Sequence, residues 1–422
     1  MKHFLVAILM FPAAVCGQTL DECQVAAEQN YPLIKQYGLM AQTTEMTLSN
    51  IQKGWLPQIS AMVQATYQSD VTAWPSQMQS MYSQMGLQME GLRKDQYRLG
   101  IDVGQTVYDG GIIRGQKDVS REQGRVDEAR MAVTLYDVRR RVNEMYFSLL
   151  LLGEQLKLNE DLTRVLAANE KKLESMSLRG TASEADYKAI RAERLTVAQQ
   201  TESLQSQHRT LCDVLSAFCG IAVSAPTKPA ACEALPAVPE LHPEMKAADA
   251  QLRLADAQER LLDARMMPKL SVFASAFYGY PGYNMFDDMM RHRWSLNGMI
   301  GARLTWNIGA LYTRKADRAK IALQRSMIEN MREVFLFNNR LQQLRQDRNI
   351  ARYRKLMATD DEIVNLRQSV RKAAESKLAH GITDVNDLMK EIHSENAARL
   401  QQSIHEIEML KELYDLKLST NN

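Results

Sequence analysis

The stretch "WLPQISAMVQATYQ", Trp55 to Gln68, alternates after its proline, with Ile59, Ala61, Val63, Ala65 and Tyr67 on one side and Gln58, Ser60, Met62, Gln64, Thr66 and Gln68 on the other. A period of two marks a β-strand with two unlike faces. The rest of the chain reads differently. Only 20 Gly and 11 Pro occur in 422 residues, and Leu, Ala, Gln, Glu, Lys and Arg abound, which is the composition of long helices. The apolar side of such a strand therefore needs something to touch.

The strand has counterparts. Residues 97–108 place Tyr97, Leu99, Ile101, Val103 and Val107 opposite Arg98, Asp102 and Thr106. In 268–279 Leu270, Val272, Ala274, Ala276 and Tyr278 alternate with Ser271 and Ser275, although Phe273 and Phe277 blur the polar face. In 294–306 Trp294, Leu296, Ile300, Ala302, Leu304 and Trp306 oppose Ser295, Asn297, Arg303 and Thr305. Each strand is about 11 residues long, the length that crosses a bilayer when tilted, and one apolar and one polar face is the transmembrane-barrel pattern. Aromatics near the ends (Tyr67, Tyr97, Trp294, Trp306) fit an interfacial belt, although they also occur in water-soluble sheets. Four strands cannot close a membrane barrel, because the smallest has eight. Several chains would have to share one.

The signals occur twice in the same order. Pro32 and Pro57 bracket a helix leading into a strand, and Pro243 and Pro268 do the same at the same interval. "VGQTVYDGGIIRGQ" aligns with "GARLTWNIGALYTR", setting Tyr108, Asp109 and Gly111 against Trp306, Asn307 and Gly309. "LRGTASEADYKAI" aligns with "AHGITDVNDLMKE", setting Gly180 and Asp186 against Gly381 and Asp387. The expected organisation is a first structural repeat over 18–220, a linker over 221–241 rich in proline (Pro226, Pro229, Pro236, Pro239), and a second repeat over 242–422. Thr19 and Glu22 form a capping box for the opening helix.

After each second strand comes a proline-free helical stretch, 111–178 and 309–379, long enough to reach roughly 100 Å if unbroken. Val138, Val142, Met145, Leu149, Leu152 and Leu156 step by four and three, as do Val334, Phe337, Leu341 and Leu344, so both read as coiled-coil seams. Return helices follow over 183–218 and 384–418. His208 falls in the seam between Leu204 and Leu211 and reads as a core or interface histidine.

Residues 1–17 have a charged start at Lys2, an apolar run from Phe4 to Phe11 and small residues up to Gly17, the layout of a secretory signal peptide. Cleavage before a lipidated Cys16 is the alternative, with Val15 at a position that prefers a small residue. No later segment is apolar enough for a membrane helix. Cys23, Cys212, Cys219 and Cys232 lack C-x-x-C spacing. Cys212 and Cys219 lie about 10 Å apart along one helix and read as small buried residues. With 52 basic against 50 acidic residues, there is no nucleic-acid footprint. No phosphate-binding loop, H-E-x-x-H or nucleophile elbow is present, so no enzyme and no cofactor is expected. Met78, Met81, Met85 and Met89 fall at helical spacing between the first two strands, where thioethers could hold Cu(I) or Ag(I) or simply form an amphipathic segment.

Together, "LDECQVAAEQNYPLI", the "GWLPQIS" strand start, "VGQTVYDGG", "LTWNIG" and the paired turns "RGTASEAD" and "HGITDVND" resemble the TolC-like outer membrane efflux proteins over nearly all of the chain after residue 17. The resemblance implies a mainly α fold with a membrane β segment: a homotrimer whose twelve strands, four per chain, form one outer-membrane barrel continued by an α-helical coiled-coil barrel across the periplasm. It implies an exit duct for tripartite efflux or type I secretion, fed by an inner-membrane transporter through a periplasmic adaptor. The turns Arg179, Gly180, Thr181 and His380, Gly381, Ile382 would form the tip that docks the adaptor. Asp387, with Asp384 nearby, would stand at the entrance constriction, and Lys390 departs from the second acid of well-studied members. Trp55, Pro57, Tyr108, Gly111, Pro268, Trp306 and Gly309 would mark the strand–helix corners.

Asp387 admits two readings. A ring of carboxylates in a narrow pore attracts cations, whereas an acid in the first turn of a helix is favoured by the macrodipole. The second reading suits Asp186. Two other functions compete with the duct: a structural coiled-coil envelope protein leaves the strands unexplained, and a passive porin leaves the long helices unexplained.

Overall fold

The computed structural model describes residues 18–87, 90–232 and 242–420. The signal-peptide and Cys16 readings, Met89, Pro236 and Pro239 lie outside the described residues. By its contacts the chain divides into two compact units: one holds the chain up to Gly38, Glu128–Ala247 and the chain from Met331, the other Leu39–Asp127 and Ala248–Asn330. Each unit draws on both halves of the sequence.

The second unit contains a four-stranded antiparallel sheet with order β1-β2-β3-β4, from β1 (Gln58–Tyr67), β2 (Asp95–Tyr108), β3 (Lys269–Tyr280) and β4 (Ser295–Thr305). The register carries one apolar face across all four strands: Ile59 opposes Val103, Val103 opposes Ala274 and Ala274 opposes Ile300. Val63, Leu99, Tyr278 and Leu296 form the parallel row. The sequence-predicted bounds hold to within two residues.

The opposite face explains the phenylalanines that interrupt its polar pattern. Arg98 lies over the Phe277 ring at 3.7 Å and Arg303 over Phe273 at 5.0 Å, so each ring carries a cation above it. Room for the rings comes from glycine on the facing strand. A Cβ on Gly301 would meet Phe273 Cζ at 2.8 Å, and one on Gly100 would meet Phe277 Cβ at 3.2 Å.

The first unit contains α1 (Leu20–Asn30), the return helices α5 (Glu184–Cys219) and α9 (Val385–Thr420), and most of α4 (Ile112–Leu178) and α8 (Leu311–Ala379). Thr19 and Glu22 close the capping box on α1. The core joins Leu20, Cys23 and Ala27 to Val138, Val142, Tyr146 and Leu149 of α4, Leu215 and Cys219 of α5, and Ile407 and Leu410 of α9. The segment after α5 is irregular but pinned. Tyr146 Oη donates to Thr227 O at 2.6 Å and lies 2.8 Å from Gln18 O, and Tyr414 Oη donates to Ala230 O. His208 is half-buried 3.7 Å from Cys212 Sγ, and burial lowers its pKa. Cys219 is buried, whereas Cys212 is half-buried, because its helix face turns partly outward.

The two seams fare differently. Val138, Val142 and Leu149 of α4 are almost fully buried, whereas Val334, Phe337, Leu341 and Leu344 of α8 remain about half exposed.

A polar chain crosses the first unit from Gln24 Nε2 to Asn143 Oδ1 at 2.6 Å and from Asn143 Nδ2 to Asp415 Oδ1 at 3.3 Å. Burial pushes the Asp415 carboxyl above its ordinary range, against the Asn143 hydrogen bond and Lys411. The folded state thus holds this proton more tightly than the unfolded chain, and the penalty for the carboxylate is relieved as pH falls through the raised value. Asp415→Asn keeps the acceptor for Asn143, so the variant should resist denaturant better than wild type at neutral pH. That advantage should shrink towards zero as pH approaches about 4, read from denaturation midpoints of both proteins across the range.

Candidate functional site

The first helix-to-helix turn is built by a left-handed glycine. Gly180 has φ +73°, a region that favours glycine, and beyond it Thr181 N donates to Met176 O at 2.9 Å. Arg179 folds back, its Nε on Ser175 O at 3.0 Å. Ser183 then caps α5, its Oγ accepting from Ala185 N at 3.0 Å while Asp186 accepts from Ser183 N at 3.3 Å. Asp186 is thus occupied as half of a capping box.

The second turn repeats the device. Gly381 has φ +69°, Ile382 N donates to Lys377 O at 2.9 Å, and His380 Nδ1 lies 2.8 Å from Ser376 O. Asp384 Oδ1 accepts from Asp387 N at 2.9 Å, and Thr383 Oγ1 donates to Asp387 Oδ2 at 2.8 Å. Asp384, Asp387 and Lys390 are all exposed, and Ile382 is 73% exposed. Below the turns the four helices share one core, with Leu166, Leu173, Ile190, Val385, Leu388 and Ile392 buried together. The structure therefore brings Arg179–Thr181 and His380–Ile382 to one end of one helical bundle.

A partly buried ionic cluster centred on buried Glu395 lies behind this tip, and sequence reasoning missed it. Arg371 of α8 pairs with Glu375 on its own helix and with Glu395 of α9, and Arg399 reaches Glu395 at 2.7 Å. Asn169 Nδ2 of α4 adds a bond to Glu375 at 3.2 Å. In the other hairpin Arg194 of α5 pairs with Glu170 of α4 at 2.5 Å. The offset from Glu170 to Arg371 is 201 residues, as it is from Arg194 to Glu395 and from Gly180 to Gly381. The same site is thus bridged twice with the charges exchanged. The pairing was available to a reader who counted outward from each glycine, since both partners stand ten residues before it and fourteen after it.

The strand corners lie in the other unit. Pro57 leads into β1, and Trp55 O, in the turn before it, accepts from Gln105 Nε2 at 2.6 Å. Pro268 precedes β3, and Trp306 Nε1 donates to Met266 O at 3.0 Å. After Tyr108, Asp109 is buried and caps α4, accepting from Gly111 N at 2.8 Å and Ile113 N at 2.6 Å. Gly111 has φ +91°. The tighter position is its neighbour Gly110, φ +71°, where a Cβ would stand 2.5 Å from Met267 Cβ. Gly309 lies in the 3-10 turn Ile308–Ala310 and has no positive φ, so it does not share the conformation of Gly111.

Between β1 and β2, α3 (Ser76–Gln84) carries Met78 and Met81, which are exposed with Met85 just after it. Among the described residues no cluster of three His, Cys, Asp or Glu side chains could hold a metal ion, and no helix is long and apolar enough to cross a membrane.

Neither a protein-family model nor a curated protein matches the chain by sequence. Solved structures match by shape. The outer-membrane channel OprN superposes with a TM-score of 0.71 at 14% identity, over 95% of this chain and 89% of its own. The outer membrane protein VceC from Vibrio cholerae gives 0.67 at 13% identity, over 94% of both chains. The Campylobacter jejuni CmeC outer membrane channel gives 0.69 at 12% identity, over 95% of this chain and 85% of its own. The chain has the fold of these channels, as the TolC-like resemblance implied.

The ionic cluster makes a direct prediction. Arg371 and Glu395 side chains are only 12% and 7% exposed, so Arg371→Ala leaves carboxylates undercompensated and should cost about 3 kcal/mol of stability. Exposed Arg164, paired one turn away with Asp161 on its own helix, is the control. Arg164→Ala should shift the denaturation midpoint by less than about a quarter as much.

Proposed function

We propose that the chain is one subunit of a homotrimeric outer-membrane exit duct, its sheet forming one third of a twelve-stranded barrel and its helices a periplasmic tunnel. The observation that carries this reading is the apolar sheet face. Ile59, Val63, Leu296, Ile300 and Leu304 are between 69% and 86% exposed, and Leu99 and Ile101 just over half. Leaving side chains of this kind in water forfeits about 1.5–3 kcal/mol each. Seven of them approach the whole net stability of a typical domain, so the face requires an apolar solvent. Lipid provides one.

Two aromatic groups support the assignment. Trp294 stacks on Tyr97 at 5.7 Å and lies 5.5 Å from Tyr278 at one end of the sheet, and Trp55, Tyr108 and Trp306 stand at the other. Trp294 to Trp306 spans about 40 Å along the strand, or about 30 Å across a bilayer at the usual barrel tilt. Among the described residues the outer edges of β1 and β4 have no strand partner, and a neighbouring copy would complete both. The exposed α8 seam asks for the same neighbour.

In this assembly the turns at Arg179–Thr181 and His380–Ile382 form the periplasmic entrance and contact a membrane-fusion adaptor that links the duct to an inner-membrane transporter. Asp387, exposed in the first turn of α9, and Asp384, exposed just before that helix, present a ring of carboxylates from three subunits. Exposed Lys390 lies one turn further on and tempers the ring's charge. A duct is favoured over a structural coiled-coil protein and over a passive porin because neither of those readings uses both the strands and the helices.

The reading is tested by extracting the protein from isolated outer membranes, which should require detergent, and by native mass spectrometry, which should find three chains. Recovery of a soluble monomer ends the proposal. In planar bilayers the wild type should conduct poorly, and Asp387→Ala should reduce its preference for cations; unchanged selectivity removes Asp387 from the constriction.

Two substitutions separate the sheet faces. Ile300→Arg on the lipid side should cost about 2–4 kcal/mol, whereas Met299→Arg on the lumen side should leave thermal stability nearly unchanged. Equal losses would contradict the assignment. Phe337→Glu on α8 should convert trimer to monomer in size-exclusion chromatography while the monomer keeps its helical circular dichroism.

A further inference from the structure

We propose that Cys23 and Cys219 are joined by a disulfide in the exported protein, closing the first half of the chain into a covalent ring; the proposal rests on the export reading given above. Cys23 lies on α1 and Cys219 is the last residue of α5, 196 positions away, yet both are buried in the same core cluster. Cys219 Sγ also lies 3.4 Å from Cys23 O. The helices are held together here by other contacts as well. Asn30 Nδ2 donates to Ala217 O and Phe218 O, each at 3.2 Å, and Gly220, with φ +71°, is the residue that lets Asn30 approach. A built junction thus holds the Cys219 sulfur against Cys23.

The other cysteines face elsewhere. Cys212 sits against His208, and Cys232 packs beside Met409, Leu413 and Leu416. One pairing is therefore selected by the fold. An exported chain also meets an oxidising compartment, where neighbouring thiols form disulfides that persist.

Oxidation is a thiol–disulfide exchange with a disulfide-bearing thiol oxidase of the envelope. The thiolate of one cysteine attacks a sulfur of the oxidant's disulfide, giving a mixed disulfide and releasing one oxidant thiolate. The second cysteine's thiolate then attacks its partner's sulfur, forming the Cys23–Cys219 bond and displacing the other oxidant sulfur. Two protons leave the cysteines and two electrons reduce the oxidant to a dithiol. Cys23 is 0% and Cys219 2% exposed, so exchange precedes closure of the core, and the finished bond is shielded from reductant.

The test uses cells producing the full chain, acid-quenched so that thiols cannot exchange. One portion is fractionated, and the other is alkylated under denaturing conditions and digested without reductant for mass spectrometry. The expected result is a linked Cys23–Cys219 peptide, with alkyl groups on Cys212 and Cys232 only. Protein recovered from the outer membrane with all four cysteines alkylated overturns the disulfide and leaves the duct intact. Recovery from the cytosol instead overturns export. The pairing is then decided by refolding purified chain with oxidised glutathione, where failure to form the linked peptide rejects it. As a second readout, dithiothreitol should reduce the bond only in denaturant, and the reduced protein should unfold at lower temperature, because the crosslink no longer restricts the unfolded chain. Cys23→Ser and Cys219→Ser should each abolish that difference between oxidised and reduced samples; a difference that survives in either variant rejects the pairing.

Discussion

A strand edge presents a row of backbone N–H and C=O groups, and in hydrocarbon each unpaired group costs several kcal/mol. The sheet of this chain has two such edges, on β1 and β4, beside a face that is apolar across every strand. The edges are costly in lipid and the face is costly in water, so an isolated chain suits neither. In the proposed assembly, edge pairing between copies would close the sheet and leave its apolar side outward, against lipid. The β2–β3 pairing within the chain shows the mode of contact. There a strand of the first half meets a strand of the second, and the same junction made between chains would continue the cylinder.

The strands were legible because a two-residue period survives in a linear text. Ile59 to Tyr67 and Leu296 to Leu304 show their faces without knowledge of neighbours, and the observed ends differ by no more than two residues. The phenylalanines of β3 were not legible. Their compatibility with a polar face depends on Gly301 and Gly100 and on Arg98 and Arg303 on neighbouring strands, a cross-strand relation that exists only once register is set. The corner glycine was found one residue away from its tightest position. Gly110 and Gly111 look alike in sequence, and only the approach of Met267 separates them.

At the tip, local chemistry was readable and long-range chemistry was not. Gly180 and Gly381 follow from the need for a left-handed residue after each long helix, and Ser183 and Asp384 from the need to satisfy the first N–H groups of the next. Arg371, Glu375, Glu395 and Arg399 looked like ordinary charges on helix faces. Their burial follows from the hairpin register, which places residues equidistant from the turn side by side. Exchange of charge between Glu170–Arg194 and Arg371–Glu395 keeps each pair neutral while changing the sign on each helix. Two hairpins so arranged present opposite charges at equivalent levels, which favours packing of unlike hairpins side by side over packing of like ones.

The seams carry the same point further. Val138 to Leu156 and Val334 to Leu344 obey one heptad rule, and the rule says only that an apolar stripe needs a partner. In α4 the partner is internal, because α1, α5 and α9 cover it. On α8 nothing among the described residues covers Val334, Phe337, Leu341 and Leu344, which remain about half exposed. In the proposed trimer, unlike hairpins would alternate around a closed ring, each covering on one side what its neighbour leaves open on the other. A chain that contains one hairpin of each kind could satisfy that alternation with copies of itself, and in that assembly the exposed stripe would be where the next copy begins.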